Sequence, residues 1–135
     1  MGKIDVNKVW ALNYRLVMSV IVDVAPRLQE LGLEVKELFL LADLDAHPHP
    51  AALAEALVIP KPSVTMYVKR LEAAGLVRRE IDSTDLRRHK LSLTADGRKV
   101  MTRGLALLAE AFGRRMGRLS TAQQAELKAL LEKMV

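Results

Sequence analysis

The sequence predicts a mainly α-helical fold with one small β-hairpin: a winged helix-turn-helix flanked by long N- and C-terminal helices. Three observations lead there. Residues 61–94 read in order as a short two-faced helix, a glycine stop at Gly75, and two alternating apolar runs joined by a turn with Asp85, Arg87, Arg88 and His89. A second short helical pattern, PAALAEAL at 50–57, precedes them across the turn Ile59-Pro60-Lys61-Pro62, and two short helices about a tight turn make a helix-turn-helix. Charge is also segregated. Residues 1–60 hold 5 basic and 8 acidic side chains, residues 61–118 hold 14 and 6, and residues 119–135 hold 2 and 2. The net +8 of the middle stretch is the footprint of a phosphate-binding face.

Composition is compatible with this fold. The chain has 135 residues, half of them apolar, so one domain over 1–135 with a real core is expected. Aromatic residues make up only 4%, so aliphatic side chains must fill that core. With no cysteine in the sequence, thiolate catalysis, disulfides, cysteine-ligated zinc and thiol-based sensing are excluded. The N-terminus MGKIDVNKVW lacks a signal-peptide pattern. The most apolar stretch, residues 16–25, is interrupted by Ser19 and Asp23 and is about half a membrane span. A cytoplasmic protein with no membrane partner is expected.

Residues 4–30 read as one long helix. Val9, Leu12, Leu16, Val20 and Val24 form one apolar stripe, and Trp10, Val17, Ile21 and Leu28 a second. Two stripes imply burial on two sides, one of them against a partner chain. Pro26 should kink or end this helix nearby. Gly32 breaks the pattern, and residues 34–45 resume it with Leu38, Leu41 and Leu44 inward. His47-Pro48-His49-Pro50 is a turn, with Pro50 at the first position of the third helix, where its missing N–H is harmless.

The fourth helix spans about 62–74, with Val64, Val68 and Leu71 inward. Residues 76–81 and 89–93 have strand character. Thr94 stands at an N-cap position before a fifth helix over about 95–117, whose apolar side is Val100, Leu105, Leu108, Ala111 and Phe112. Ser120 and Gln123 have capping-box spacing and start a last helix that buries Leu127, Leu130 and Leu131.

The fourth helix has the properties of a recognition helix. Its outer positions are Ser63, Thr65, Met66, Tyr67, Lys69 and Arg70. The first turn of such a helix reaches base edges, here Lys61, Ser63, Thr65 and Met66. Ser and Thr hydrogen-bond bases or phosphates, and Met66 suits a thymine methyl. Lys69 and Arg70 lie further along, toward phosphates, with an ion pair inside the fold the other option for Arg70. The hairpin loop 82–90 carries Arg87, Arg88 and Lys90, and arginine is favoured in a narrow minor groove. Asp85 would repel phosphate, so it is expected to pair with Arg87 or a nearby cation and set the shape of the wing.

These residues resemble the MarR family (multiple-antibiotic-resistance regulator). The resemblance rests on Leu71-Glu72-Ala73-Ala74-Gly75-Leu76-Val77, then Asp85-Leu86-Arg87, then Leu93-Thr94-Ala95-Asp96-Gly97, in the family's order and spacing. It implies a winged-helix lobe over 34–94. It also implies dimerisation helices in 1–31 and 95–135, and a homodimer on a pseudo-palindromic operator in double-stranded DNA. It makes Arg87 the wing-tip arginine of the minor groove, Asp85 the acid that braces it, and Ser63, Val64 and Thr65 the start of the recognition helix. Pro60 stands where the family often has a serine N-cap and Met66 where it often has an arginine, so two polar contacts are lost.

Members of the family often bind small aromatic or lipophilic effectors, and the candidate pocket walls here are Trp10, Tyr14, Phe39 and Phe112. His47, His49 and His89 are too few and too solvated in turns for a closed metal site, and neither metal nor cofactor is expected. The sequence has no phosphate-cradling glycine loop and no nucleophile–base pair in recognisable context, so no enzyme is expected. The alternative is a winged-helix scaffold that binds protein; it would not need the basic face.

Overall fold

The computed structural model describes residues 2–135. It comprises six helices and one hairpin: α1 (Val6–Glu30), α2 (Val35–Asp43), α3 (Pro50–Leu57), α4 (Lys61–Ala73), β1 (Val77–Asp82), β2 (Asp85–Leu93), α5 (Ala95–Met116) and α6 (Thr121–Met134). Helix α3 packs on both α2 and α4, α5 lies against α1 and α2, and the hairpin docks through β1 on α4 and through β2 on α3 and α5. One aliphatic core joins these layers. Leu28, Leu38, Leu41, Leu44 and Leu53 are fully buried, with Val64, Val68, Leu71 and Leu91 beside them.

The punctuation acts as its chemistry requires. Gly32 and Gly75 both hold positive φ, 76° and 75°, and each follows a helix whose last carbonyls are satisfied across it. The Leu33 N–H donates to Leu28 O at 3.0 Å, and the Leu76 N–H to Leu71 O at 2.9 Å. Ser120 and Gln123 form the expected reciprocal cap, with Gln123 N–H on Ser120 Oγ at 3.2 Å and Ser120 N–H on Gln123 Oε1 at 2.9 Å. The turn into α4 begins earlier than expected. Val58 caps α3 in the left-handed region (φ 55°, ψ 47°), and α4 starts at Lys61. A β-branched residue is unfavourable there by about 1–2 kcal/mol, which is why the sequence carries no turn signal at this position.

Helix α1 covers nearly the expected range and ends at Glu30, four residues after Pro26, with Val24 and Leu28 buried on either side of the proline. One expectation fails within the chain. Helix α6 buries no residue within the chain: Leu127 is half-covered, and Leu130 and Leu131 are exposed. Its anchor is polar, with the Gln124 amide donating to Met116 O at 2.9 Å and Leu119 O at 3.2 Å.

Helix α1 is long and apolar enough to cross a membrane, with a mean hydropathy of 1.2. Its charges argue for a helix packed in a domain: Asp23 pairs with Arg115 at 2.6 Å and Arg27 with Glu110 at 3.3 Å, both across to α5. The two expected stripes do not separate into two faces: in each, the N-terminal members lie exposed (Val9 and Leu12; Trp10 and Val17) and the C-terminal members are buried (Val20 and Val24; Leu28), so the chain's own core covers only the second half of the helix.

Candidate nucleic-acid interface

Helix α4 presents most of the expected side chains outward. Lys61, Thr65, Met66, Lys69 and Arg70 are exposed and Ser63 is half-buried. The Thr65 hydroxyl donates to Lys61 O at 3.2 Å, one turn back on the same helix. Pro60 occupies the N-cap and supplies no side-chain hydrogen bond. Tyr67 corrects the sequence reading: it is 7% exposed and belongs to the core. It lies three residues after Val64 and four before Leu71, hence on their face of the helix. Arg70 makes the intramolecular pair. Its Nη1 is 2.9 Å from Glu34 Oε1 and its Nη2 is 3.6 Å from Glu37 Oε1, both carboxylates at the start of α2. The Glu34 hydrogen bond first, then the charges of Glu37 and Glu34, raise the Arg70 pKa above its ordinary value.

The wing is more regular than a loop. Strand β2 begins at Asp85, so Arg87, Arg88 and His89 lie on a strand and the turn shortens to Ser83 and Thr84. Asp82 pairs with Asp85 and Ile81 with His89, so residues 86–88 have no partner across the ladder and bulge outward. The bulge displays Leu86, Arg87 and Arg88. The Arg87 side chain is 90% exposed. Asp85 Oδ1 accepts from the Arg87 backbone N–H at 3.1 Å and from its Nε at 3.4 Å. The acid thus fixes the backbone at the tip and lies beside the root of the arginine, leaving the outer guanidinium nitrogens free.

Sequence reasoning missed the base of the wing. Asp82 is buried at the hairpin turn, where Oδ1 accepts from the Thr84 N–H at 2.8 Å and the Thr84 hydroxyl at 2.6 Å. Its Oδ2 meets His49 Nε2 at 3.1 Å, and His49 Nδ1 lies 3.0 Å from His89 O. Both ring nitrogens face acceptors. The Leu91 N–H adds a bond to Pro48 O at 2.7 Å. The wing is therefore pinned to the turn before α3. The only sequence signals were an Asp-Ser-Thr turn and a histidine already assigned to solvent. Among the described residues, no three metal-donor side chains converge.

The two Thr84 hydrogen bonds, aided by the positive charges of His49 and Arg88, hold the Asp82 carboxyl below its ordinary value of 3.8 against the opposing effect of desolvation. A depressed carboxylate stabilises the fold fully above its unfolded pKa, and this is lost as pH falls through the lower folded value. Amide protection in residues 77–93, taken relative to the intrinsic exchange rate at each pH, should therefore hold from neutral pH down to about pH 4 and fall below it. Asp82→Asn should give fast wing exchange already at pH 7. Equal exchange in the two proteins at pH 7 would contradict this role.

The four aromatic candidates do not form one cavity. Phe39 and Phe112 line a single apolar groove of about 450 Å³ between α1, α2 and α5, with Val17, Ile21, Leu105 and Leu108. Trp10 and Tyr14 lie elsewhere on α1, ring against ring at 6.4 Å and tilted by 42°.

The MarR family model matches residues 31–88, the stretch from the α1–α2 corner to the wing tip. Transcriptional regulator HosA of Escherichia coli is 38% identical over 84 residues, and the match spans 62% of this chain and 62% of HosA. HTH-type transcriptional repressor Rv2887 of Mycobacterium tuberculosis is 32% identical over 136 residues, 99% of this chain and 98% of Rv2887. The solved structure of Rv2887 in complex with DNA superposes with a TM-score of 0.77 at 32% identity, covering 92% of this chain and 94% of that one. Its complex with salicylic acid gives 0.75 at 32% identity, covering 92% and 93%. Likeness of this order over nearly the full length, with the signature residues where the fold needs them, shows that the chain belongs to the MarR family.

Proposed function

We propose that the protein is a cytoplasmic, homodimeric transcriptional repressor that binds a pseudo-palindromic operator in double-stranded DNA and responds to a small aromatic or lipophilic effector. The observation that carries this reading is the wing tip: a braced, fully presented Arg87 beside a recognition helix with Lys61 and Lys69 exposed. The DNA complex of Rv2887 supports it. One α4 per protomer enters the major groove, and the two half-site centres lie about one helical turn apart. Lys61, Ser63, Thr65 and Met66 meet base edges, Lys69 meets phosphate, and Arg87 with Arg88 follows the minor groove. The groove between Phe39 and Phe112 is the effector site, a reading supported by the salicylic acid complex of Rv2887.

The test is a binding isotherm on duplexes selected from a random pool, repeated across salt. Arg87→Ala should weaken binding about tenfold on all sequences and flatten the salt slope by about 1. A wild-type protein without salt-dependent duplex binding at low ionic strength would overturn the proposal.

A further inference from the structure

Arg70 differs from the other cations of α4. Lys61 and Lys69 make no ion pair among the described residues, whereas Arg70 spends two nitrogens on Glu34 and Glu37. Glu37 is only 2% exposed, and among the described residues Arg70 is its one cation within ion-pair reach. A buried carboxylate needs such a partner, and stripping the partner away leaves an uncompensated charge. The same Glu37 Oε1 also accepts the Glu34 N–H at 2.9 Å, so the first turn of α2 is built on this carboxylate. Arg70 follows the buried Tyr67 by three residues, on the flank of α4 that turns toward α2, while Met66 and Lys69 turn away.

We propose that Arg70 is a positioning residue: through Glu34 and Glu37 it ties the recognition helix to the corner where α1 turns into α2, and so sets the angle of that helix in the groove. The corner is the point at which the long helix with the uncovered apolar face hands the chain to the reading head, and Gly32, at φ 76°, makes the turn. A tether there fixes the recognition helix relative to the dimer frame. The proposal rests on the DNA-binding reading, and its test separates the two.

Operator affinity is measured for wild type, Arg70→Gln, Arg70→Lys and Glu34→Gln on the same selected duplex across salt. Arg70→Gln should lose about tenfold with the salt slope unchanged, and Arg70→Lys, which keeps one ion pair, should lie between it and wild type. The sign for Glu34→Gln is decisive. A phosphate-gripping Arg70 would be released by that change and affinity would rise; a positioning Arg70 loses its anchor and affinity falls. A rise, or an Arg70→Gln slope flattened by about 1, overturns the proposal. Amide exchange without DNA is the independent readout: Arg70→Gln should accelerate exchange in residues 34–38 and in α4. Failure of the wild type to bind duplex would sink the functional reading alone. Unchanged exchange in Arg70→Gln would sink the tether alone.

Discussion

Gly97→Ala is expected to be among the most damaging single-methyl changes in the chain, costing on the order of 3 kcal/mol or more. A Cβ at Gly97 would overlap the carbonyl of Leu76. That carbonyl is backbone, and it is held in place by the Thr94 N–H at 3.1 Å. Thr94 ties the same corner twice more: its hydroxyl donates to Gly75 O at 2.6 Å and accepts the Gly97 N–H at 3.0 Å. The helix-ending run Leu71-Glu72-Ala73-Ala74-Gly75-Leu76-Val77 and the helix-opening run Leu93-Thr94-Ala95-Asp96-Gly97 are thus one structural unit. The gain in helix propensity from alanine, about 1 kcal/mol, does not offset the overlap. Gly104→Ala is the internal comparison. Its Cβ would meet Leu38 Cδ1 at 2.7 Å, the end of a side chain that can shift, so its loss should be smaller. Thermal unfolding of the two variants decides the matter: a Gly97→Ala midpoint equal to or above that of Gly104→Ala would refute the argument.

The same corner shows what a single sequence can carry. Local chemistry is legible because it acts over three or four residues. The α3 boundaries, the Thr94 and Ser120 caps, the Gly75 stop and the inward set Val64, Val68 and Leu71 follow from spacing and residue type. Features decided by distant contacts are not legible. Tyr67 reads as a groove contact because a tyrosine suits either face. The two strands of the wing were legible from their alternation, but the start of the second at Asp85 was not, because residues 85–88 are solvated and polar save Leu86. The Asp82–His49 and Glu37–Arg70 pairs carry no local signal, since each joins residues 33 apart in the sequence. Of the candidate site, the presentation of Arg87 and its brace were readable; the tether of Arg70 was an even choice until Glu34 and Glu37 came into place.

The second large effect concerns the apolar face that the chain leaves uncovered. Leu12 on α1 is 52% exposed and Leu131 on α6 is 44% exposed, and Val9, Trp10, Tyr14, Val17 and Leu130 are exposed as well. So many large apolar side chains exposed on two helices mark an interface. Both helices are otherwise well formed, so their exposure is not a folding defect; in the proposed homodimer a second copy covers them. Leu12→Glu with Leu131→Glu places charges in that interface while touching no buried residue of the chain. The double variant should sediment as a monomer with its helical content retained. Its operator affinity should fall by about 10² to 10⁴, because two linked half-site contacts become one, and its salt slope should drop to about half as half the phosphate contacts go. An unchanged dimer would mean that the two copies meet through another face. A monomer that kept wild-type affinity for the full operator would mean that one reading head suffices, and the spacing of half-sites would then carry no energetic weight. The expected result links the uncovered apolar half of α1 to the charged wing: that face makes the pair, and the pair makes a weak single contact specific.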